Sequence, residues 1–153
     1  MGKKIVLGVD HGALDLKQIL VSHLQGRGFE VKDMGVFTND SVDYPDKAVE
    51  TVREFKRGEY ECGIVCCGTG IGVSVSANKH RGIICALPQN SFAARMAKEH
   101  NNANFIAFGG RIDYQEPVEK ILDAYLDANF AGERHSRRVE KMLDLDDSED
   151  FNT

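Results

Sequence analysis

Five short apolar runs recur along the chain, and each is followed at once by glycine, proline or aspartate. Between them lie stretches in which apolar residues return at intervals of three and four, as they do along one face of a helix. Strands that alternate with helices are typical of an open parallel sheet covered on both faces. The sequence therefore predicts an α/β fold, a Rossmann-like three-layer α/β/α sandwich with a five-stranded parallel sheet. The predicted strands are 4–9, 29–34, 62–67, 83–87 and 104–108.

A basic segment after Gly132 predicts a C-terminal helical segment, so that one α/β domain extends over residues 1–141. Residues 142–153 carry five acidic residues and no lysine or arginine, which predicts a solvated, mobile tail. Without these five, the 24 acidic residues fall to 19, which equals the number of lysines and arginines. A body without net charge gives no sign of nucleic acid as a partner, and no apolar run is long enough to span a bilayer. We expect neither partner.

Four cysteines are present, and three of them lie in one predicted strand: Cys62, Cys66 and Cys67. This is a poor layout for a disulfide framework, so the cysteines favour a reducing, cytoplasmic compartment. Cysteine is often a small buried residue, and we interpret Cys62, Cys66 and Cys85 in this way. Strand alternation also places Cys62 and Cys66 on one face of the sheet and Cys67 on the other.

Cys67 differs because it begins a loop of glycine and threonine that leads from a strand into a helix: Cys67, Gly68, Thr69, Gly70, Ile71 and Gly72. Glycine lets the backbone approach a ligand closely, and the first N–H groups of a helix can bind an anion. A thiol in this position tends toward the thiolate. Thr69 can cap the helix or donate its hydroxyl to an oxyanion, and the two roles are compatible.

Several ligand-binding motifs are absent from the sequence, and their absence limits which ligand the loop can bind. The loop does not read GxGxxG, and no acidic residue ends the next strand, which disfavours a dinucleotide. The Gly-Lys-Ser/Thr of a Walker loop is also absent. The five histidines are scattered and no CxxC pair occurs, so we predict no metal site.

Polar residues follow nearly every predicted strand, and the carboxyl ends of parallel strands form the usual ligand-binding edge. Asp10 and His11 follow the first strand, and Arg111 follows the last. Another cluster of positive charge, Arg134, His135, Arg137 and Arg138, lies in the C-terminal segment. It is either an exposed charged face or, because Arg134 and Arg138 share a helical face, a phosphate-binding site.

Several of these motifs, in this order, resemble the ribose-5-phosphate isomerase type B family, and galactose-6-phosphate isomerase subunits share part of the set. The resemblance extends from the first strand to about Lys141. It rests on the following motifs: Gly8-x-Asp10-His11-Gly12, Asp43-Tyr44-Pro45, Cys67-Gly68-Thr69-Gly70-Ile71-Gly72, Ala77-Asn78-Lys79, His100-Asn101-x-x-Asn104, Phe108-Gly109-Gly110-Arg111 and Gly132-x-Arg134-His135-x-x-Arg138-Val139.

The resemblance implies an aldose–ketose isomerase of a sugar phosphate that needs no cofactor. Cys67 would then move a proton between C1 and C2 through an enediolate, which Thr69 and the glycine loop (Gly68, Gly70, Ile71, Gly72) would stabilise. His100 would open the sugar ring. The remaining roles implied are Asp10 and Asn101 for sugar hydroxyls, His11, Arg111, Arg134 and Arg138 for the phosphate, and Tyr44 and His135 as further candidates.

The family also implies a homo-oligomer, a dimer or a dimer of dimers, whose sites are shared between subunits, with the C-terminal basic segment serving the partner's site. Leu14, Ile84 and Cys66 depart from the family pattern. These departures leave the sugar open between ribose 5-phosphate and a hexose 6-phosphate of galactose or allose. A non-catalytic phosphate- or nucleotide-binding module of the same fold is the alternative from a different class.

Overall fold

A computed structural model describes residues 2–147, over which five strands and six α-helices follow one another. The strands are β1 (Lys4–Val9), β2 (Glu30–Asp33), β3 (Cys62–Cys67), β4 (Cys85–Ala86) and β5 (Phe105–Gly109). The helices are α1 (Leu14–Gly26), α2 (Tyr44–Arg57), α3 (Ile71–Asn78), α4 (Ser91–Glu99), α5 (Val118–Leu126) and α6 (Arg134–Asp144). Short 3₁₀ turns lie at His11–Ala13 and Leu145–Asp147.

All strand pairs of the sheet are parallel, and the strand order is β2-β1-β3-β5-β4. The predicted five-stranded parallel sheet is confirmed. The chain steps from β1 outward to β2 and then crosses to the far side of β1, so a switch point lies between β1 and β3. Ligands of open parallel sheets bind outside the carboxyl ends of the strands at such a point.

Helices cover both faces of the sheet, because right-handed crossovers in opposite directions leave the sheet on opposite sides. On one face of the sheet, a core cluster joins side chains of the strands to α1, α4 and α5. On the other face, a second cluster joins the alternate side chains of the strands to α2 and α3. Cys62 and Cys66 belong to the first cluster and Cys67 to the second, which confirms the alternation predicted for β3. Cys67 is therefore the cysteine of β3 on the side of the glycine loop's helix, α3.

Strand β4 is shorter than the predicted run 83–87, because asparagine side chains take over its backbone pairing. Asn104 Oδ1 accepts the N–H of Ile84 at 2.9 Å, before the strand begins. On the open edge, Asn78 accepts the N–H of Cys85 at 2.7 Å and donates to its carbonyl oxygen at 2.9 Å. These bonds satisfy an edge that would otherwise be free to pair with another strand.

The C-terminal helix continues past the predicted domain boundary at residue 141 and ends at Asp144. Beyond it, Asp146 accepts the N–H of Gly82 at 2.7 Å, and Asp147 pairs with Arg81. The first part of the predicted acidic tail is thus in contact with the body, and residues 148–153 lie outside the described residues. No helix between residues 2 and 147 has the length and apolar character that crossing a membrane requires.

Candidate active site

Three loops at the carboxyl edge of the sheet, those after β1, β3 and β5, contact one another backbone to backbone. A Cβ atom added at Gly12 would lie 2.9 Å from the nitrogen of Gly68, and one added at Gly110 would lie 2.4 Å from the carbonyl oxygen of Gly12. Gly110 N–H also donates to the carbonyl of Cys67 at 2.8 Å. Because only glycine fits these contacts, the loops form one closely packed edge around Cys67.

Cys67 ends β3 and its thiol accepts a hydrogen bond from the N–H of Gly70, with Sγ 3.2 Å from the nitrogen. Gly70 has a φ of +79°, in the left-handed region, and directly precedes α3. This conformation turns the backbone sharply enough to direct the N–H at the sulfur. The sulfur therefore faces a backbone donor at the amino end of α3.

The other cysteines have different surroundings. Burial raises the pKa of Cys62 and of Cys85 to about 12, and it raises the pKa of Cys66 further still. All four thiols are free, and Cys67 is the one that lines the cleft described below. The interpretation of the other three as buried packing residues therefore agrees with their environment.

Thr69 is exposed at the rim of the loop, and its Oγ1 accepts the N–H of Ile71 at 3.2 Å. The hydroxyl oxygen thus satisfies the N–H of the first residue of α3, whose capping residue is Gly70, while its own proton stays available to a ligand. Within residues 2–147, no protein group accepts the N–H groups of Gly68 or Thr69. These donors make the loop a candidate oxyanion site beside the thiol.

The cleft over Cys67 has a volume of about 840 Å³. Asp10 is buried, and its carboxylate accepts the N–H of Gly12 at 2.8 Å. The Arg111 guanidinium covers Gly68, where an added Cβ would lie 3.2 Å from Nη1. The lining is completed by His11, residues 41–46, Gly68, Thr69, Ile71 and Gly72. The cleft therefore combines a thiol, a carboxylate, an imidazole and a guanidinium.

Tyr44 joins the cleft from α2, because its ring lies against Gly72, where an added Cβ would come within 2.6 Å. The neighbouring residues Ser41, Val42 and Asp43 also line it and were not singled out from the sequence as binding residues, although Asp43 stands in the Asp-Tyr-Pro motif. A second cavity of about 590 Å³ adjoins the cleft at Thr69 and Ile71 and is lined by residues 87–90 and 112–116. Across residues 2–147, no cluster of three or more His, Cys, Asp or Glu side chains is arranged to hold a metal ion.

His100 and Asn101 lie at the opposite edge of the sheet, between the end of α4 and the start of β5. Four residues after His100, the carbonyl of Asn104 accepts the N–H of Gly63 at the amino end of β3, at 3.0 Å. Cys67 ends the same strand at its carboxyl end. Within one chain the structure thus does not bring His100 or Asn101 to Cys67.

The basic segment gathers at this amino edge as well. His135 of α6 stacks on His100, with ring centroids 4.1 Å apart and planes 13° apart. Burial lowers the pKa of His135, and the charges of His100, Arg134 and Arg138 lower it further. Arg134 and Arg138 are exposed beside this pair. The predicted site residues therefore form two groups, one at each edge of the sheet.

Comparison with known proteins identifies the family of the chain. The family model described as Ribose/Galactose Isomerase matches residues 5–142. Ribose-5-phosphate isomerase B of Escherichia coli is 39% identical over 94% of this chain and 97% of its own. A galactose-6-phosphate isomerase subunit of Clostridium acetobutylicum is 36% identical over 92% of this chain and 81% of its own.

Among solved structures, ribose-5-phosphate isomerase B of Clostridium thermocellum superposes with a TM-score of 0.90 at 44% identity. That alignment covers 94% of this chain and 97% of the other. The chain is an isomerase and belongs to the Ribose/Galactose Isomerase family.

Proposed function

We propose that the protein interconverts an aldose phosphate and a ketose phosphate, D-ribose 5-phosphate and D-ribulose 5-phosphate, with Cys67 as the base. One observation carries the proposal: a single thiol borders a cleft walled by glycine backbone, and it accepts a backbone N–H. The names of the relatives at 39% and 44% identity favour ribose 5-phosphate.

The reaction begins from the open-chain aldose. The Cys67 thiolate takes the proton on C2, the C2–H electron pair forms a C1=C2 double bond, and the carbonyl oxygen O1 becomes the enediolate oxyanion. The thiol then returns its proton to C1 while the O2–H proton passes to O1, which leaves a carbonyl at C2. Atoms and electrons balance without a cofactor.

In this reaction the glycine loop would stabilise the enediolate intermediate. The N–H groups of Gly68 and Thr69 and the Thr69 hydroxyl would stabilise the oxyanion beside Cys67, and Asp10, which lines the same cleft, would bind a sugar hydroxyl. A donor of this kind contributes roughly 3 kcal/mol when it meets an oxyanion that forms only in the transition state. A carbon acid needs this stabilisation together with a positioned base.

Ring opening and phosphate binding need the group at the opposite edge, which a second copy of the chain can supply. We therefore propose a homo-oligomer, a dimer or a tetramer, in which the carboxyl edge of one subunit meets the amino edge of another. His100 of the partner subunit would then act on the ring oxygen. His11 and Arg111 would hold the phosphate together with the partner's Arg134 and the partner's Arg138.

Galactose 6-phosphate is the second candidate substrate, because a galactose-6-phosphate isomerase subunit is 36% identical over most of this chain. Pentose and hexose phosphates share the C1–C2 chemistry, so the thiol loop does not distinguish them. Walls of a pocket discriminate one added carbon only weakly, by roughly 10- to 200-fold.

The test is a panel of pentose and hexose phosphates with the wild-type protein and two cysteine variants. We expect the highest kcat/KM with ribose 5-phosphate, and we expect Cys67→Ala to abolish turnover while calorimetry still detects binding of the sugar phosphate. Cys66→Ala is the matched control, because the Cys66 thiol packs on the other face of the sheet from Cys67. This variant should keep turnover near wild type. Full activity of Cys67→Ala would exclude the proton-transfer role, and a preference for galactose 6-phosphate would exclude the ribose assignment.

A further inference from the structure

The connection between β2 and α2, residues 34–43, begins beside β1 and ends at the cleft. At its start, Val9 N–H donates to the carbonyl of Gly35 at 2.8 Å, and Val36 N–H donates to the carbonyl of Val9 at 2.9 Å. At its end, Ser41, Val42 and Asp43 line the cleft. The path of this loop therefore fixes one wall of the site.

Lys17, in the first turns of α1, is buried with a residual exposure of 5% and holds the start of the loop. Its ammonium donates to the carbonyl of Val36 at 2.6 Å and pairs with the Asp33 carboxylate at 3.0 Å. It also lies 4.2 Å from the centre of the Phe37 ring, and Phe37 is otherwise largely exposed. A buried ammonium requires partners for its donors, so these three contacts specify where residues 33–37 lie.

The end of the loop is held by His11, which stands between β1 and α1. The N–H of Val42 donates to His11 Nδ1 at 3.2 Å. A backbone N–H can only donate, so Nδ1 is the acceptor and the proton of the neutral ring is on Nε2. No protein group among residues 2–147 pairs with Nε2, and His11 lines both the main cleft and a small cavity that it shares with Arg111.

The same β1–α1 segment thus fastens the loop at two points, with Lys17 at the start and His11 at the end. We infer that Lys17 is a positioning residue: through the loop it places the Val42 N–H on His11, which keeps His11 in the Nε2–H tautomer and directs a neutral donor at the anionic group of the substrate. The inference rests on the proposed function for its kinetic consequence, but the tautomer itself can be measured without substrate.

The test combines imidazole nitrogen NMR with kinetics on Lys17→Met, with His11→Gln used to assign the signals. In the wild type above pH 8, we expect His11 to carry its proton on Nε2. In Lys17→Met we expect a mixture of tautomers, and we expect KM for the sugar phosphate to rise roughly tenfold with kcat within about twofold, as for loss of one hydrogen bond to a charged group that is equally strong in ground and transition states. A purely structural role would instead lower the active fraction, and hence kcat, at constant KM.

Val42→Pro provides a second variant in case Lys17→Met does not fold, because it deletes the N–H that contacts His11 and leaves Lys17 in place. Arg27→Met is the control at the C-terminal cap of the same helix: Arg27 directly follows α1 and pairs with Asp123 and Asp127, so His11 and KM should not change. A wild-type His11 with its proton on Nδ1 would overturn the inference, as would a folded Lys17→Met or Val42→Pro that keeps both tautomer and KM. An equal rise of KM in Arg27→Met would overturn it too. If the tautomer shifts as expected but no sugar phosphate is turned over, the positioning stands and the proposed function fails.

Discussion

Mixing two inactive variants should restore activity if the site is built from two subunits. Cys67→Ala removes the proposed base at the carboxyl edge, and His100→Asn removes the proposed ring-opening residue at the amino edge. The two residues are separated by the length of β5, which has five residues and spans roughly 16 Å at about 3.3 Å per residue. Acid–base catalysis requires contact within about 3 Å, so one chain cannot apply both groups to one sugar.

The expected amount of restored activity follows from the symmetry of a shared site. A heterodimer of the two variants contains one site with both substitutions and one site with neither. Random exchange of equal amounts yields about half heterodimers, so about one quarter of all sites should be complete. The His100→Asn parent alone should retain only about 10⁻² to 10⁻⁴ of wild-type turnover, as is usual when a general acid–base is lost.

The assay is turnover of ribose 5-phosphate after the differently tagged variants are mixed, unfolded and refolded together, with native mass spectrometry to count heterodimers. Tandem purification of the heterodimer should raise the activity to about half of wild type. Each variant refolded alone is the control. Heterodimers that form but remain as inactive as the parents would refute the shared site and would require a single-chain mechanism without His100.

Three further outcomes test the local chemistry and packing. Iodoacetamide at pH 8 should alkylate Cys67 first, because burial raises the pKa of the other three thiols well above the usual range, and peptide mass spectrometry would contradict this if another cysteine reacted at the same rate. Gly110→Ala should lower the unfolding free energy measured in urea by about 1–3 kcal/mol, because the added methyl group clashes with the Gly12 carbonyl. Gly26 has open space around it, so Gly26→Ala is the control and should raise the unfolding free energy by less than about 1 kcal/mol. Equal losses in the two variants would refute the contact. Folding lowers the pKa of His135, so the unfolded state binds the proton more readily than the folded state. The unfolding free energy should therefore be highest above about pH 6.5 and fall as the pH decreases below it. His135→Phe should reduce this dependence of the unfolding free energy on pH in urea titrations at about pH 5 to 7.

The elements that local pattern determines could be predicted from the sequence. The strand β3 has the predicted bounds because an unbroken apolar run ends at a glycine, and such runs form strands buried on both faces. The approach of Asp10, Cys67 and Arg111 was also predictable, since all three lie at or just beyond the carboxyl ends of strands, and parallel strands end at one edge. The length of β4 could not be predicted, because the side chain of Asn104, twenty residues further on, accepts the N–H of Ile84 in place of a backbone carbonyl. No local sequence pattern indicates such a bond.

The sequence indicated less clearly that the site residues would lie at two opposite edges of the sheet, although the position of His100 is informative. A residue between a helix and the following strand of a parallel sheet lies at the amino edge, and His100 occupies that position. Its grouping with Cys67 came from the family resemblance, which names residues of a site and not the chain that supplies each of them. The role of Lys17 was not visible at all, because a lysine on an amphipathic helix ordinarily extends into solvent, and its burial depends on the loop that folds over it.

In the proposed shared site, the choice of sugar is determined mainly by how the two edges are placed relative to each other. At the carboxyl edge the loops around Cys67 pack closely through glycine backbone, and the proposed base there would act on C1 and C2 in any aldose phosphate. The partner's Arg134 and the partner's Arg138 would hold the phosphate, at a distance from C1 that grows by one bond from a pentose to a hexose. Relatives named for ribose 5-phosphate and for galactose 6-phosphate therefore need not differ at the thiol loop. Substitutions that shift α6 or the contact between subunits should change kcat/KM for one sugar relative to the other, while Cys67→Ala should abolish both activities alike.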